Sequence, residues 1–443
     1  MKETVLYLSE KTALRLHLPE TPERMQVYAG QNHTEAHIRI APGLSRRFSC
    51  SSALKNTLGL SQTNGLRLRW DEKTQSLHIG PFVGIITLSL PHQQGSYRRT
   101  SFLAELLFLA RISRHMKGRF FFFRPGDVCW QNKTVRGYRY TACGTWEAAS
   151  YPLPDVIYDR LPSRRLELSP GMKRFRRHIL EQENILCFNS SYLNKWNVYQ
   201  KLVQSEELRS YLPETHLLNT ESLSDMLSRY PVLFAKPANG SMGRGIIKIR
   251  HMPQGFSYTL YRRGKWNGTA RTPAGWMKNT RKARRGWMYI IQQGIALKKW
   301  EDSAFDLRII LQKDGLGEWK LSKRFFRVAR RGSSVANLSS GGHVEPYNVL
   351  LPKLLHHDAG QLEKLNREIS WLCRQIATKL EEEGCFGELG LDLGIGKNGK
   401  VWLIEVNSKP RKATETEMSM QIVRNTFRRP LEFASFLAGF PVS

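Results

Sequence analysis

The stretch GELGLDLGIGKNGKVWLIEVNSKP, residues 387–410, is the most informative part of the sequence. An Asn-Gly pair at 398–399 separates two apolar runs and is typical of a two-residue hairpin turn, because both central positions of that turn require positive φ. Counting outward from the turn places Asp392 opposite Glu405, and Glu405 shares a strand face with Asn407. The stretch therefore predicts a hairpin that presents two carboxylates and an amide oxygen on one face.

That polar face is a candidate metal site. Ligands that are all oxygen suit Mg²⁺, a hard ion that keeps waters and substrate phosphates in its shell. Gly390 and Gly394 are predicted to leave room for a ligand there. The opposite face is apolar and is predicted to be a core face, with Leu391, Leu393, Ile404 and Val406. A half-exposed strand shows the same alternation, so a metal site and a solvated hairpin both stay open on this stretch alone.

A second motif, PVLFAKPANGSMGRGIIKIR, covers residues 231–250. Its two ends are rich in Val, Ile and Phe and predict strands, and the loop between them contains Gly240, Gly243 and Gly245. Glycines allow successive backbone N–H groups to approach a phosphate, and Lys236 ends the first strand where its ammonium can reach a phosphate oxygen. The sequence contains no GxxxxGK[ST] motif. The motif therefore predicts either a hairpin lid over phosphates or an ordinary glycine-rich turn.

Several segments in this order resemble the ATP-grasp superfamily, and most closely the endospore coat-associated YheC/YheD family. The resemblance covers about residues 150–443, and the part before it matches less distinctly. The matching segments are YLNKWNVYQKL with LPET (192–202, 212–215), FAKPANGSMGRGI (234–246), MYIIQQGIAL (288–297), FDLRIILQ (305–312), VANLSSGG (335–342) and the hairpin above. The resemblance implies an α+β and α/β chain in which two α+β lobes clasp ATP.

The resemblance also implies roles for individual residues of a nucleotide site. Two lysines, Lys195 and Lys236, would contact the ATP phosphates. The lid over those phosphates would contain Gly240, Ser241, Met242, Gly243 and Gly245. Adenine would be read by Gln292, Gln293 and the backbone around Ile295. ATP is therefore the implied cofactor.

The catalytic and metal-binding roles follow from the same resemblance. Arg308, together with Lys236, would act on the transferred phosphoryl group or the substrate carboxylate. Asn337 and Arg327 are further candidates for phosphate or substrate contact. Mg²⁺ would be held by Asp392, Glu405 and Asn407, with Glu405 bridging two ions. We predict that Asp306 is a structural partner of a nearby arginine instead of a catalytic group.

Members of this superfamily typically phosphorylate a carboxylate and then let an amine attack the acyl phosphate. The first hypothesis is thus an ATP-dependent carboxylate–amine ligase. The family name implies a sporulating bacterium, with the protein in the mother-cell cytoplasm or on the spore coat and with coat proteins as partners. A non-catalytic coat scaffold that keeps the fold is the competing hypothesis, and a basic nucleic-acid-binding protein is the third. The acceptor carboxylate, small or polymeric, cannot be identified from the fold.

The net charge of the chain is +30, from 68 basic and 38 acidic residues. The imbalance is strongest between Asp225 and Glu301, where no acidic residue occurs, and densest in the basic tract 261–287. Basic residues mixed with Trp266, Trp276 and Trp287 suit single-stranded nucleic acid. They equally suit a polyanionic substrate or an acidic protein layer, or they form a solubilising surface. No RRM, KH or zinc-finger signature accompanies the charge, which argues against nucleic acid.

Composition and length favour a folded protein of two or three domains. The six cysteines form no CxxC pair, so reduced thiols in the cytoplasm are the simpler interpretation. No apolar run approaches the roughly 20 residues of a membrane helix, and we predict no membrane span. The predicted domains are a β-rich domain (1–90), a small α/β domain (91–165) and the ATP-grasp domain (166–443).

A few elements are predicted along the chain. Strands are expected at 25–30, 34–40, 65–70 and 76–80. Helices are expected within 44–59, at 100–117, at 170–184 and, with an amphipathic stripe, at 359–383. Prolines in 152–162 predict a linker or crossover. The stretch 427–440 has a short apolar helical pattern.

Overall fold

The computed structural model describes residues 3–18, 23–91, 97, 101–240, 243–262, 264–330, 342–412 and 419–442. Within these residues the chain forms four main β-sheets that follow one another along the sequence, with helices packed against them. The chain is therefore a mixed α+β protein, as predicted.

The first sheet comprises residues of the N-terminal region. Its elements are β1 (Val5–Leu8), α1 (Glu10–Arg15), β2 (Arg24–Ala29), β3 (Asn32–Ile40), β4 (Phe48–Cys50), α2 (Ser52–Leu58), β5 (Arg67–Asp71) and β6 (Ser76–Gly80). The strand order is β4-β1-β3-β2-β6-β5. Alternate residues of β2, including Val27 and Ala29, point inward and share a core with Leu54 and Leu58 of α2. The strands and the helix predicted for this region are confirmed.

The second sheet is mixed, with parallel and antiparallel strand pairs. Its elements are β7 (Phe82–Ile86), α3 (Phe102–Ser113), β8 (Arg119–Phe123), β9 (Val128–Cys129), β10 (Thr134–Tyr140), β11 (Trp146–Pro152), β12 (Val156–Asp159), α4 (Arg164–Glu167), α5 (Pro170–Arg177) and β13 (Leu186–Phe188). The order is β11-β10-β8-β7-β12-β13, and the last four strands are parallel. Both β7 and β13 lie outside segment 91–165, and the three-domain division stays a prediction.

The segment 152–162, predicted to be a linker or crossover, contains the strand β12. All four residues of β12 are buried between β7 and β13. The prediction was wrong because Pro152 and Pro154 precede the strand and do not interrupt its apolar run.

The third sheet is antiparallel. This part of the chain contains α6 (Lys195–Leu202), α7 (Glu206–Arg209), β14 (Thr215–Leu217), α8 (Thr220–Arg229), β15 (Val232–Pro237), β16 (Ile246–Met252), β17 (Gly255–Arg262), β18 (Gly264–Ala270), α9 (Pro273–Arg284) and β19 (Tyr289–Gln293). The order is β14-β19-β15-β16-β17-β18. One sheet face, with Leu233, Ala235 and Ile247, forms a core with α8 and α9. Since side chains alternate along β15, Lys236 lies on the opposite face.

The fourth sheet has the order β23-β22-β21-β24-β25. Its region contains β20 (Lys299–Trp300), β21 (Ser303–Lys313), β22 (Trp319–Val328), β23 (His343–Pro346), α10 (Tyr347–Leu354), α11 (Ala359–Glu381), β24 (Glu388–Ile395) and β25 (Val401–Asn407). The stripe predicted on α11 is buried in the core of this sheet, at Leu365, Ile369, Leu372, Ile376 and Leu380. The amphipathic helix is therefore confirmed.

The hairpin of β24 and β25 closes with a longer turn than the predicted two-residue turn. The Gly396 amide donates to the Lys400 carbonyl at 2.8 Å, and Gly399 has a φ of +85°. This is a three-residue loop, in which a glycine in the left-handed region follows a tight turn. A one-residue bulge after Asp392 offsets the change of register, so Asp392 still faces Glu405 as predicted.

The bulge also changes the face of Ile404. Leu393 pairs with Leu403 instead of Ile404, and Leu403 is buried in the core of the fourth sheet. Ile404 lines a cleft on the other side of the hairpin. Its predicted core position was wrong because a bulge adds a residue and cannot be seen in an alternating pattern.

A buried charge network joins the second sheet to the fourth. Arg160 donates to Glu105 at 3.1 Å and to Glu388 at 3.0 Å. Glu388 also accepts from Lys412 and from the Tyr158 hydroxyl, each at 2.5 Å. The side chains of Arg160, Glu105, Glu388 and Lys412 are at most 4% exposed. The network therefore fixes the start of β24 and the segment after β25 against β12.

The last helix, α12 (Met420–Leu437), packs against the second sheet. Its residues Val423, Phe427 and Leu431 share a core with Leu106 and Leu109 of α3. The predicted apolar pattern at 427–440 thus belongs to a longer amphipathic helix. None of the helices in the described ranges is long and apolar enough to cross a membrane.

Candidate functional site

The three candidate metal ligands lie on β24 and β25 of the fourth sheet. Asp392 pairs in register with Glu405, and Asn407 pairs with Gly390. A Cβ at Gly390 would lie 2.9 Å from Pro410 Cβ. At Gly394 it would lie 2.7 Å from a Leu297 methyl carbon. The space above these glycines is therefore filled by other side chains, contrary to the prediction that it is open for a ligand.

Two arginines of the fourth sheet neutralise Asp392. Arg308 binds both carboxylate oxygens of Asp392, and Arg327 donates to Oδ2 at 2.9 Å. Burial raises the pKa of Asp392, but the two guanidinium groups outweigh burial and hold the pKa below its ordinary value. Arg327 also donates to Asp306 at 2.6 Å, as predicted for a structural partner. Asp392 is therefore an ionised carboxylate in a cationic setting.

Lys195 connects Glu405 to the glycine loop. Its Nζ lies 3.0 Å from Glu405 Oε1 and donates to the Gly240 carbonyl at 2.6 Å. Lys195 is the first residue of α6, where the N-cap Asn194 accepts from two backbone amides. The cap fixes the start of the helix, so it also fixes the position from which Lys195 reaches Gly240 and Glu405.

Lys236 projects from β15 toward β19. Its Nζ donates to Gln292 Oε1 at 2.6 Å, and Gln292 donates in turn to Thr215 Oγ1 at 2.9 Å. Burial of the ammonium lowers the pKa of Lys236 to about 8, although Glu405 acts in the opposite direction. Burial and the absence of a direct carboxylate contact among the described residues suit Lys236 to an anionic ligand.

A cleft brings together residues of α6, the third sheet and the fourth sheet. Its lining includes Lys195, Lys236, Ile290, Gln292, Ile404 and Glu405. Four sequence-predicted residues thus meet in one cleft. Gln293 points elsewhere, because its side-chain oxygen accepts from the Glu214 amide at 3.3 Å. Ile295 is half-buried, and its carbonyl accepts from the Leu297 amide at 3.0 Å.

The glycine loop is held at its base by neighbouring residues. Gly243 and Gly245 have φ values of +69° and +78°, which only glycine adopts freely. A Cβ at Gly245 would lie 3.0 Å from both Pro237 Cγ and Tyr289 Oη. The Tyr289 hydroxyl donates to the Gly245 carbonyl at 2.9 Å. The predicted contacts of Ser241, Met242 and Asn337 lie outside the described residues.

Arg164 is a cation of this site that sequence reasoning missed. It donates to Asn239 Oδ1 and to the Leu193 carbonyl, both at 2.6 Å. Burial lowers the pKa of Arg164, and Glu405 is among the groups that oppose this shift, so its charge lies near the hairpin. Arg164 belongs to the short helix α4, and nothing in the sequence connects that helix with the glycine loop. The contact appears only when the second sheet packs beside the third.

Replacing Asn194 with alanine tests the cap beneath Lys195. We expect Asn194→Ala to lower the free energy of unfolding by about 1 kcal/mol, because two amides at the start of α6 lose their acceptor. Asn194 also donates to Asn239 Oδ1 at 2.8 Å. The control Asn194→Asp keeps the cap acceptor and loses only the donor to Asn239, so it should be more stable than Asn194→Ala. Urea unfolding measures the free energy of unfolding of both variants. Equal stability of the alanine variant and the wild type would contradict the assignment of Asn194 as the N-cap.

A glycine loop on one antiparallel sheet that faces a carboxylate hairpin on another defines an ATP-grasp protein. The chain belongs to the YheC/D-like ATP-grasp family, whose model matches residues 184–437. The predicted ATP-grasp fold and family are therefore confirmed. Proteins of this fold in general bind ATP and Mg²⁺.

Two relatives from Bacillus subtilis (strain 168) share most of their length with this chain. The chain is 29% identical to the endospore coat-associated protein YheD over 377 residues, which is 82% of this chain and 80% of YheD. It is 25% identical to the endospore coat-associated protein YheC over 370 residues, which is 80% of this chain and 95% of YheC.

Similar solved structures include two ligases. The VanG D-Ala:D-Ser ligase from Enterococcus faecalis matches with 12% identity and a TM-score of 0.46, over 81% of this chain and 99% of that chain. The D-alanyl-alanine synthetase A from Vibrio cholerae matches with 13% identity and a TM-score of 0.44, over 82% of this chain and 98% of that chain.

Proposed function

We propose that this protein is an ATP-dependent carboxylate–amine ligase that acts through an acyl phosphate. The observation that carries the proposal is the double contact of Lys195, which binds the glycine loop at Gly240 and the carboxylate of Glu405. One ammonium thus lies where a triphosphate held under the loop would meet the acidic hairpin. Lys236 and Gln292 line the same cleft.

The chain's cations have distinct roles in the proposed reaction. Lys195 and Lys236 bind the ATP phosphates, and Gly240, Gly243 and Gly245 let the loop backbone approach them. A carboxylate oxygen of the substrate attacks the terminal phosphorus, and ADP leaves. Arg308 would stabilise the charge on the transferred phosphoryl group, which is the main demand of such a transfer. The amine then attacks the acyl carbon, loses a proton and displaces phosphate, which forms the amide.

The hairpin donor set fits Mg²⁺. Two carboxylates and one amide oxygen are hard ligands, and Asp392 is kept ionised by Arg308 and Arg327. No group of three or more His, Cys, Asp or Glu side chains is arranged for a metal in the described part of the chain, and the proposed set needs only two carboxylates. Asp392, Glu405 and Asn407 would hold the metal, with Glu405 shared between two ions. Bound Mg²⁺ would neutralise charge on the phosphate oxygens.

A spore-coat role is part of the proposal because both Bacillus relatives are named as endospore coat-associated proteins. The competing function is a coat scaffold without catalysis. The paired cations and carboxylates of the cleft favour the ligase, since a scaffold does not need a desolvated lysine beside a carboxylate hairpin. The nucleic-acid hypothesis is weakened because Trp276, one of its three proposed stacking residues, is buried in the core.

The proposed ligase activity is tested by incubating the protein with Mg²⁺, ATP and pools of carboxylates and amines. We expect ADP release that depends on both pools, together with a new amide mass. Nucleotide binding without any ADP release from such pools would favour the scaffold instead.

The affinity for ATP should fall as pH rises through about 8. Lys236, with a pKa lowered to about 8, is charged below this value and neutral above it, and only the charged form attracts phosphate. Each pH unit above 8 should weaken binding by up to about tenfold. Calorimetric titration at pH 7 and pH 9 measures the change. In Lys236→Met this pH dependence of ATP affinity should disappear. Its persistence in that variant would contradict the role of Lys236 as the titrating group.

A further inference from the structure

The helix α9 presents a row of four cations to solvent. Lys278, Arg281, Lys282 and Arg285, at positions i, i+3, i+4 and i+7, are all exposed, and Arg285 is the C-cap of the helix. This spacing places them on one helix face, over a length of about 10 Å. We name these four residues the α9 stripe.

Among the residues that the structure describes, the α9 stripe has no counter-ions. None of its four residues forms a salt bridge within the described ranges, and the sequence contains no acidic residue between Asp225 and Glu301. Like charges at i, i+3 and i, i+4 destabilise a helix. By contrast, the basic Arg367 of α11 is paired with Glu363. The charge of the stripe is therefore not compensated by any ion pair in the described part of the chain.

The α9 stripe lies behind the candidate site. The inner face of α9, with Trp276, packs on the sheet face that carries Leu233 and Ala235. Lys236 projects from the opposite face of the same sheet. The outer face of α9 is therefore separated from the cleft by the sheet, and the stripe does not face the candidate site.

We propose that the α9 stripe is a docking surface for an acidic polypeptide segment of a partner protein. The closely spaced cations match a run of carboxylates, and desolvated pairing across an interface supplies both attraction and orientation. The inference is independent of the ligase activity, because the surface lies outside the cleft.

An acidic polypeptide fits the α9 stripe better than a nucleic acid does. Binding of single strands combines cations with aromatic rings on which bases stack. The tryptophan of α9, Trp276, is fully buried, and its ring packs against Tyr258 and under Arg284. The exposed Trp266 and Trp287 lie on β18 and beyond the C-cap of α9, so no aromatic ring stands between the four cations of the stripe.

The experiment compares the full chain with Lys278→Gln/Arg281→Gln/Lys282→Gln/Arg285→Gln, using labelled poly-L-glutamate as the probe. We expect the wild type to bind, binding to weaken steeply with salt, and the variant to lose at least about tenfold in affinity. Added Mg-ATP should change neither result, since the cleft is on the other face. Glutamine suits helices, and the lost repulsion offsets the lost interaction of the last-turn cations with the helix dipole, so the melting temperature should stay close to that of the wild type.

The matched control removes four cations elsewhere, in Lys364→Gln/Arg367→Gln/Arg374→Gln/Lys379→Gln on α11. This control has the same change in net charge and should bind poly-L-glutamate as the wild type does. Equal loss in both variants would show a general charge effect and overturn the proposal. A stripe variant with wild-type affinity for poly-L-glutamate would also overturn the proposal. Tighter binding of single-stranded RNA than of poly-L-glutamate through the stripe would overturn it as well. If the quadruple variant melts at a lower temperature than the wild type, the double variant Lys278→Gln/Lys282→Gln replaces it. The double variant should show about half of the loss in the logarithm of affinity for poly-L-glutamate that the quadruple variant is expected to show.

Discussion

Glu405→Gln is expected to lower ADP release by about 10²–10³-fold, or roughly 2.7–4 kcal/mol of transition-state stabilisation. The substitution keeps the shape of the side chain but removes the negative charge that Lys195 contacts at 3.0 Å. It also removes a carboxylate from the proposed Mg²⁺ donors. Both losses act on the phosphoryl group during its transfer, so turnover should fall more than the affinity for ATP alone.

The fold should survive Glu405→Gln, because the Glu405 side chain is 27% exposed and such pairs contribute only about 0–1 kcal/mol. Glu318→Gln is the matched control, with the same chemical change at an exposed turn that contacts Lys320. The control should release ADP at the wild-type rate. Wild-type turnover in Glu405→Gln would rule out the proposed role of the hairpin.

Arg160→Met is expected to lower the free energy of unfolding by about 3–5 kcal/mol. Methionine fills part of the volume of Arg160, but Glu105 and Glu388 each lose a cation while they stay almost fully buried. Lys412 stays beside Glu388 and Arg411 stays beside Glu105, but a buried carboxylate left with one of its two cations has lost water without a sufficient substitute. Urea unfolding followed by circular dichroism measures the loss.

The double variant Arg160→Met/Glu105→Gln separates charge from packing. It removes one positive and one negative charge together, and Lys412 remains paired with Glu388 at 2.5 Å. We therefore expect it to recover part of the stability that the single variant loses. A loss under about 1 kcal/mol in Arg160→Met, or a double variant no more stable than the single one, would contradict the account of the network.

The parts of the site that the sequence predicts are those set by local pattern. Strand alternation and the position of the turn predict that Asp392 faces Glu405. The pairing is observed because the turn is one residue longer than predicted and the bulge adds one residue that restores the register. Lys236 ends a strand beside a glycine loop for the same local reason. Such features depend on residues that are close in the chain.

The remaining contacts depend on segments that are far apart. Arg164 reaches Asn239 across 75 residues, and Arg160 reaches Glu388 across 228. Their formation depends on how the second sheet packs beside the third and fourth sheets, which no spacing in one segment encodes. The bulge that turns Ile404 toward the cleft is missed for a related reason, since alternation alone assumes a regular strand.

We propose that the glycine loop and the carboxylate hairpin form one site for Mg-ATP. Calorimetric titration of ATP into the wild type, with Mg²⁺ and then with EDTA in its place, tests this claim. We expect Mg²⁺ to strengthen binding at least about tenfold, equivalent to roughly 1.4 kcal/mol, and this gain to disappear in Glu405→Gln. Equal affinity with and without Mg²⁺ in the wild type, or an undiminished gain in the variant, would contradict the claim.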